Sequence, residues 1–137
     1  MRTTFKWTLS TIIAVMAMIA LSLGLSTQAS ASSSFGTGTG NGSTSACASW
    51  TMCIFSDNGY KGSVLKQFGD DSYSLSGTEY SRFNDKTSAL INNSYSYYCF
   101  FENLFSGLTF QINPRTTVPS VNSWINDRIT SWLVGTC

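Results

Sequence analysis

Beyond residue 45 no segment sustains an apolar period of 3.6, while short runs rich in β-branched and aromatic residues recur between clusters of Gly, Asn, Asp and Ser. The pattern predicts an all-β domain. Residues 52–55 and 63–68 read as one hairpin and 97–101 with 108–112 as a second, with shorter strands at 73–75, 88–91, 121–124 and 130–134. Alternation along these strands turns Ile54, Val64, Leu90, Phe100, Phe110, Trp124 and Leu133 inward. The aromatic run at 95–101 divides between two faces, with Tyr98 and Phe100 on one and Tyr97, Cys99 and Phe101 on the other, as suits a strand covered on both sides. Trp50 and Tyr60 are the aromatics expected to stay exposed.

Two units repeat. Asn84-Asp85-Lys86-Thr87-Ser88-Ala89 and Asn126-Asp127-Arg128-Ile129-Thr130-Ser131 each set two oxygen-bearing side chains next to one another, with a hydroxyl three residues beyond the second. That spacing can present hard oxygen ligands to a calcium ion. As plain structure, such Asn-Asp pairs cap turns between strands. Upstream of each copy stands an aromatic followed by six residues and a glycine, Phe55 to Gly62 and Phe100 to Gly107, with further agreement between Asp57 and Glu102, Asn58 and Asn103, and Tyr60 and Phe105.

This pairing resembles the βγ-crystallin motif, which opens with an aromatic, six residues and a glycine, and in microbial members closes with Asn/Asp-Asn/Asp-x-x-Ser/Thr-Ser. The resemblance implies a sandwich of two four-stranded Greek-key motifs, at about 46–94 and 95–137, whose closing segments lie close together and exchange ligands. On that basis one calcium site takes the Lys86 carbonyl and Ser88 hydroxyl with the Asp127 carboxylate. The other takes the Arg128 carbonyl and Thr130 hydroxyl with Asp85. A hairpin carbonyl near Asn58 or Asn103, and water, complete the six to eight oxygens that Ca2+ prefers, for one or two ions. Ala89 stands where the family has serine, which is expected to weaken local hydrogen bonding without removing a ligand.

At the start of the chain, Arg2 and Lys6 precede an apolar run at 9–25 and the small-x-small sequence Ala29-Ser30-Ala31. This is the pattern of an export signal cleaved near residue 31; Ser10, Ser22 and Gly24 dilute the run as a membrane anchor. Residues 32–45 are almost all Ser, Gly and Thr and read as a flexible linker. Asn41-Gly42-Ser43 and Asn92-Asn93-Ser94 fit the N-glycosylation pattern, which has meaning only in a host that performs the modification.

Composition narrows the chemistry. The formal net charge is +1, falling to −1 without Arg2 and Lys6, and no basic stripe suits a nucleic-acid partner. There are no histidines, so Ser-His-Asp, Cys-His and histidine–metal arrangements are excluded. Asp70-Asp71 sits in a Gly/Ser-rich turn where exposed acids are ordinary, and the chain reads as a non-enzyme. The four cysteines, in an exported chain, are expected as two disulfides. Of three possible pairings, Cys47 with Cys53 is favoured because it would pin the linker to the first strand, which leaves Cys99 for Cys137.

The signal, the Cys47-x5-Cys53 start, Phe55, and Phe83-Asn84-Asp85-Lys86-Thr87-Ser88 together resemble the bacterial secreted peptidase-inhibitor family built on the crystallin fold. That resemblance implies a secreted, extracellular protein that blocks a secreted metallopeptidase by lodging a rigid loop in its cleft, with no cofactor required for inhibition. The candidate loop is Pro114, Arg115, Thr116, Thr117 and Val118, stiffened by Pro114 and Pro119; its bland reading is an inter-strand connection. Two other functions stay open: a calcium-stabilised extracellular structural or stress protein, and a surface or glycan-binding module using Trp50 or Tyr60. No coiled-coil seam or long unpaired apolar edge is evident, which points to a monomer.

Overall fold

A computed structural model describes residues 34–137, and the expected export signal lies outside them. The described residues hold nine strands: β1 (Phe35–Thr39), β2 (Thr51–Asp57), β3 (Lys61–Phe68), β4 (Tyr73–Ser74), β5 (Ala89–Asn92), β6 (Tyr98–Asn103), β7 (Ser106–Ile112), β8 (Thr116–Val118) and β9 (Ser131–Val134). They form two antiparallel sheets, in the orders β1-β3-β2-β5-β8 and β4-β9-β6-β7. The expected all-β sandwich of two four-stranded Greek keys is present, as β2–β5 and β6–β9. In each key the third strand crosses to the other sheet, so β4 pairs with β9 and β8 with β5. Neither motif can complete its sheet without its copy.

The main core lies between the sheets. Met52, Ile54, Leu65 and Leu90 from one sheet meet Tyr98, Phe100, Ile112 and Trp132 from the other, all essentially inaccessible to solvent. Of the residues expected inward, Ile54, Leu90 and Phe100 are in this core and Phe110 packs against it. Val64 is buried on the opposite face of its sheet. Trp124 and Leu133 are exposed instead. Leu133 pairs with Cys99 while Trp132 pairs with Phe100, which turns Trp132 inward. Residues 121–124 form no strand: Ile125 and Asn126 both donate to the Asn122 carbonyl, and the resulting turn directs Ile125 into the core. The third strand of motif two is β8, inside the segment read as an inhibitory loop; Pro114 and Pro119 flank it outside the ladder.

The expected linker is a second correction. Its residues supply β1, which pairs along β3 from Phe35 opposite Gln67 to Thr39 opposite Ser63. Phe35 is buried, with ring centres 4.4 Å from Tyr73 and 5.2 Å from Tyr80. The following glycines serve close approach: a Cβ on Gly40 would lie 2.3 Å from the Tyr60 carbonyl oxygen, while Gly40 N–H donates to Gly62 O at 2.7 Å. This strap leads to Cys47, which is bonded to Cys53 over an outer cluster of Phe55, Tyr60, Val64, Ala89 and Ile91. Tyr60, expected exposed, is buried beneath the strap, whereas Trp50 is exposed as expected. The second disulfide is Cys99–Cys137. On a loop-entropy basis the short ring contributes about 2 kcal/mol and the long one about 4 kcal/mol.

At 70–71 the Asp70 carboxylate and the Asp71 main-chain carbonyl have structural partners. Tyr98 donates to Asp70 Oδ1 at 2.9 Å and Ser96 to Asp70 Oδ2 at 2.6 Å, while the Trp132 indole N–H reaches Gln67 Oε1 and the Asp71 carbonyl. Burial, reinforced by the bond to Asp70 and the charges of both acids, pushes the Tyr98 hydroxyl well above its ordinary range. The folded state thus favours the neutral phenol, so this contribution is intact below about pH 10 and is lost as pH rises further. Tyr98→Phe is expected to cost about 1 kcal/mol at neutral pH. Its melting temperature should fall less steeply than that of the unaltered protein from about pH 9 to about pH 11; parallel thermal-shift curves would contradict this reading.

Candidate functional site

Each motif turns at a tight hairpin whose chain enters the left-handed region: Tyr60 and Phe105 have φ of 61° and 50°, and Gly62 and Gly107 have φ of 69° and 84°. A Cβ at Gly62 would press on Ser56 Oγ, which is held by the Ser63 N–H, whereas at Gly107 the nearest atom is the movable end of the Asn103 side chain, so glycine answers to space and conformation at the first position and chiefly to conformation at the second. The closing segments dock on these hairpins. Ser88 N–H donates to the Phe55 carbonyl at 2.8 Å and Thr130 N–H to the Phe101 carbonyl at 2.9 Å. The structural partner of Phe55 is therefore Phe101, not the Phe100 that a gap-free alignment gives. The second hairpin is shorter, closing at Asn103 opposite Ser106 where the first closes at Asp57 opposite Lys61.

The two closing segments then cross. Ser88 Oγ donates to Asp127 Oδ1 at 3.0 Å, and Thr130 Oγ1 to Asp85 Oδ1 at 3.3 Å. The backbone repeats the exchange, with Asp127 N–H on the Thr87 carbonyl and Asp85 N–H on the Ile129 carbonyl. Asp85 and Asp127 share φ of 55° and 56°, a conformation that Asp tolerates better than most residues. The structure thus gathers Asp85, Lys86, Ser88, Asp127, Arg128 and Thr130 into two crossed groups.

This donor set suits a hard cation. Among the described residues, the carbonyls of Lys86 and Arg128 accept no hydrogen bond, and the buried oxygens Asn84 Oδ1, Thr87 Oγ1 and Asn126 Oδ1 have no partner. Carboxylate, hydroxyl and carbonyl oxygens are what calcium selects. Beside the group of Lys86, Ser88 and Asp127 opens a hollow of about 480 Å³ lined by Ser56, Asp57, Ser63, Arg82, Asp85, Lys86 and Asp127. Around the other group, Arg128 forms a 3.0 Å ion pair with Glu102. Sequence reasoning passed over Asp57 and Glu102 as site residues, although each precedes its hairpin turn; in the folded register Asp57 corresponds to Asn103 and Glu102 to Ser56, so the acids that align in the gap-free repeat are not structural equivalents.

The halves differ at one hydroxyl. Ser131 Oγ accepts from Phe105 N–H and donates to the Asn103 carbonyl, both at 2.8 Å, tying closing segment to hairpin. Ala89 occupies the matching place and makes no such tie. The candidate inhibitory residues lie apart from the crossed groups. Arg115 precedes β8 at the far end of the sheet, where Thr116 pairs with Asn92, and only Pro119, past Val118, returns to the first hairpin, where its carbonyl accepts from Gly59 N–H.

Comparison with known proteins agrees with this geometry. The model of peptidase inhibitor family I36 matches residues 40–110, just over half of the chain. Among solved structures, a βγ-crystallin domain from Clostridium beijerinckii is 23% identical, with a TM-score of 0.54, covering 62% of this chain and 97% of that one. A domain solved in connection with the evolution of the eye-lens βγ-crystallin fold is 19% identical, with a TM-score of 0.59, covering 76% and 99%. A βγ-crystallin from Ciona intestinalis is 25% identical, with a TM-score of 0.50, covering 61% and 98%. No curated protein sequence matches.

Ser131→Ala removes both bonds of the tie, to the Phe105 N–H and the Asn103 carbonyl. Denaturant titration should show a loss of about 1–3 kcal/mol; a change near zero would show that the tie contributes nothing.

Proposed function

The chain belongs to peptidase inhibitor family I36, and from that premise we propose that it is an exported, non-catalytic inhibitor of a secreted metallopeptidase, stabilised by calcium at its crossed closing segments. The observation that carries the inhibitory reading is the family match across the strap, the whole first motif and most of the β6–β7 hairpin. Two disulfides in a small domain suit an oxidising, extracellular setting. The chain has no histidine, so the histidine-dependent hydrolytic arrangements are excluded, and the Asp70 carboxylate is taken up by Tyr98 and Ser96.

The calcium reading is supported by the reciprocal pairing of Ser88 with Asp127 and Thr130 with Asp85, and by the unpaired carbonyls of Lys86 and Arg128. In one group Lys86, Ser88 and Asp127 would hold the ion, in the other Arg128, Thr130 and Asp85. A bound ion would join the two motifs and so favour the folded state.

Two measurements test these readings separately. Purified protein should inhibit the metallopeptidase thermolysin in a saturable and stoichiometric manner; inhibition of subtilisin, trypsin or papain alone would keep the inhibitor reading and overturn the metallopeptidase target, and full activity of every enzyme in this panel would refute inhibition. Calcium titration by calorimetry should give heat, and the melting temperature should rise, with about 2.7 kcal/mol of stabilisation at a hundredfold excess over Kd. Asp127→Ala should abolish the contribution of the first group and Asp85→Ala that of the second. Calcium binding without inhibition would identify a calcium-stabilised extracellular domain instead.

A further inference from the structure

At the end of the five-stranded sheet away from the crossed closing segments, three side chains from three separate connections converge. Trp50 precedes β2, Tyr95 lies between β5 and β6, and Arg115 lies between β7 and β8. Trp50 is 64% exposed and Tyr95 61%, yet their ring centres are 4.7 Å apart. The Arg115 guanidinium carbon sits 5.2 Å from the centre of the Tyr95 ring.

One residue holds the cluster. The Asn93 carbonyl accepts from Trp50 N–H at 3.2 Å and from Arg115 Nη1 at 2.8 Å, while the Asn93 side chain donates to the Cys47 carbonyl at 2.8 Å. The cluster is thereby fastened to the disulfide-bonded strap. Trp50 and Arg115 both occupy the left-handed region, with φ of 64° and 55°, a conformation that non-glycine residues keep only where surrounding contacts impose it. Arg115 meets no carboxylate among the described residues, and none lies in the cluster.

We infer that the Trp50–Tyr95–Arg115 platform, with the β8 edge beside it, is the surface on which the target peptidase docks; this rests on the inhibitor reading above. Trp, Tyr and Arg are the residue types that dominate the energetics of protein–protein contacts. Here they are already ordered, so docking freezes little further freedom. An aromatic pair standing out from the surface fits an apolar recess, and the unpaired guanidinium calls for a carboxylate on the partner. Beside them, β8 has β5 as its single neighbour, so its outer edge is free to pair with extended backbone. A neutral polysaccharide could stack on the same rings, but it would leave Arg115 without an opposite charge.

The test is the inhibition constant, for whichever panel enzyme the unaltered protein blocks, of Trp50→Ala, Tyr95→Ala, Arg115→Lys and Arg115→Glu. The platform predicts about ten- to hundredfold weaker inhibition for the alanine variants and for Arg115→Glu, and a smaller loss for Arg115→Lys. The crossed groups lie at the other end of β2, about 20 Å away. Calcium titration and melting temperature should therefore match the unaltered protein, separating lost docking from lost folding. Unchanged inhibition by Trp50→Ala and Arg115→Glu would overturn the platform and leave the inhibitor reading standing. Unchanged inhibition with loss of retention on insoluble polysaccharide would assign the platform to a glycan and overturn the inference likewise. Failure of the unaltered protein to inhibit any panel enzyme would overturn both readings.

Discussion

The reciprocal bond between the two closing segments is the constraint on which the molecule depends. Ser88 reaches Asp127 while Thr130 reaches Asp85, and the backbone amides of the same two acids close the exchange. Because β4 and β8 have also changed sheets, each motif borrows a strand and a hydroxyl–carboxylate contact from the other. Half of this structure would leave a sheet edge open and a core face bare. Folding of the two halves is therefore expected to be one cooperative event.

Duplication supplies symmetry, and the strap breaks it. The outer face of the first sheet, with Phe55, Tyr60 and Val64, is sealed by the segment running through Gly40 to Cys47. Among the described residues the equivalent face of the second sheet has no such cover, and there Phe105 and Leu133 are exposed where Tyr60 and Ile91 are buried. Each outer face carries a disulfide, but Cys53 is bonded backward to the strap and Cys99 forward to Cys137. Ala89 in place of a second Ser131 is consistent with this division: the half that has the strap lacks the hydroxyl tie, and the half that lacks the strap keeps it.

The βγ-crystallin fold also separates two kinds of chemistry. Carboxylate and hydroxyl oxygens gather at the hairpin end of the sandwich, and exposed aromatic and cationic groups gather at the opposite end of the larger sheet. Strands β2 and β5 connect the ends, so the two groups share one frame without touching.

The repeat of Asn-Asp-x-x-Ser/Thr, the paired aromatic–glycine hairpins and the cysteine spacing made the fold class, the duplication and the residues of the crossed groups legible in the chain, because each is a local pattern with a local cause. Other features had no local cause. Residues 34–45 look like a tether by composition, since a glycine chosen for close backbone approach is indistinguishable from one chosen for flexibility until Tyr60 is placed against Gly40. Trp124, Ile125, Trp132 and Leu133 are all apolar, and only the pairing of β9 with β6 and the turn at Asn122 decide which pack inside. Trp50, Tyr95 and Arg115 are far apart along the chain; that Trp50 and Arg115 meet on Asn93 with the Tyr95 ring against both was decided by tertiary structure alone, because three connections converge only after the sheet has fixed the positions of their ends.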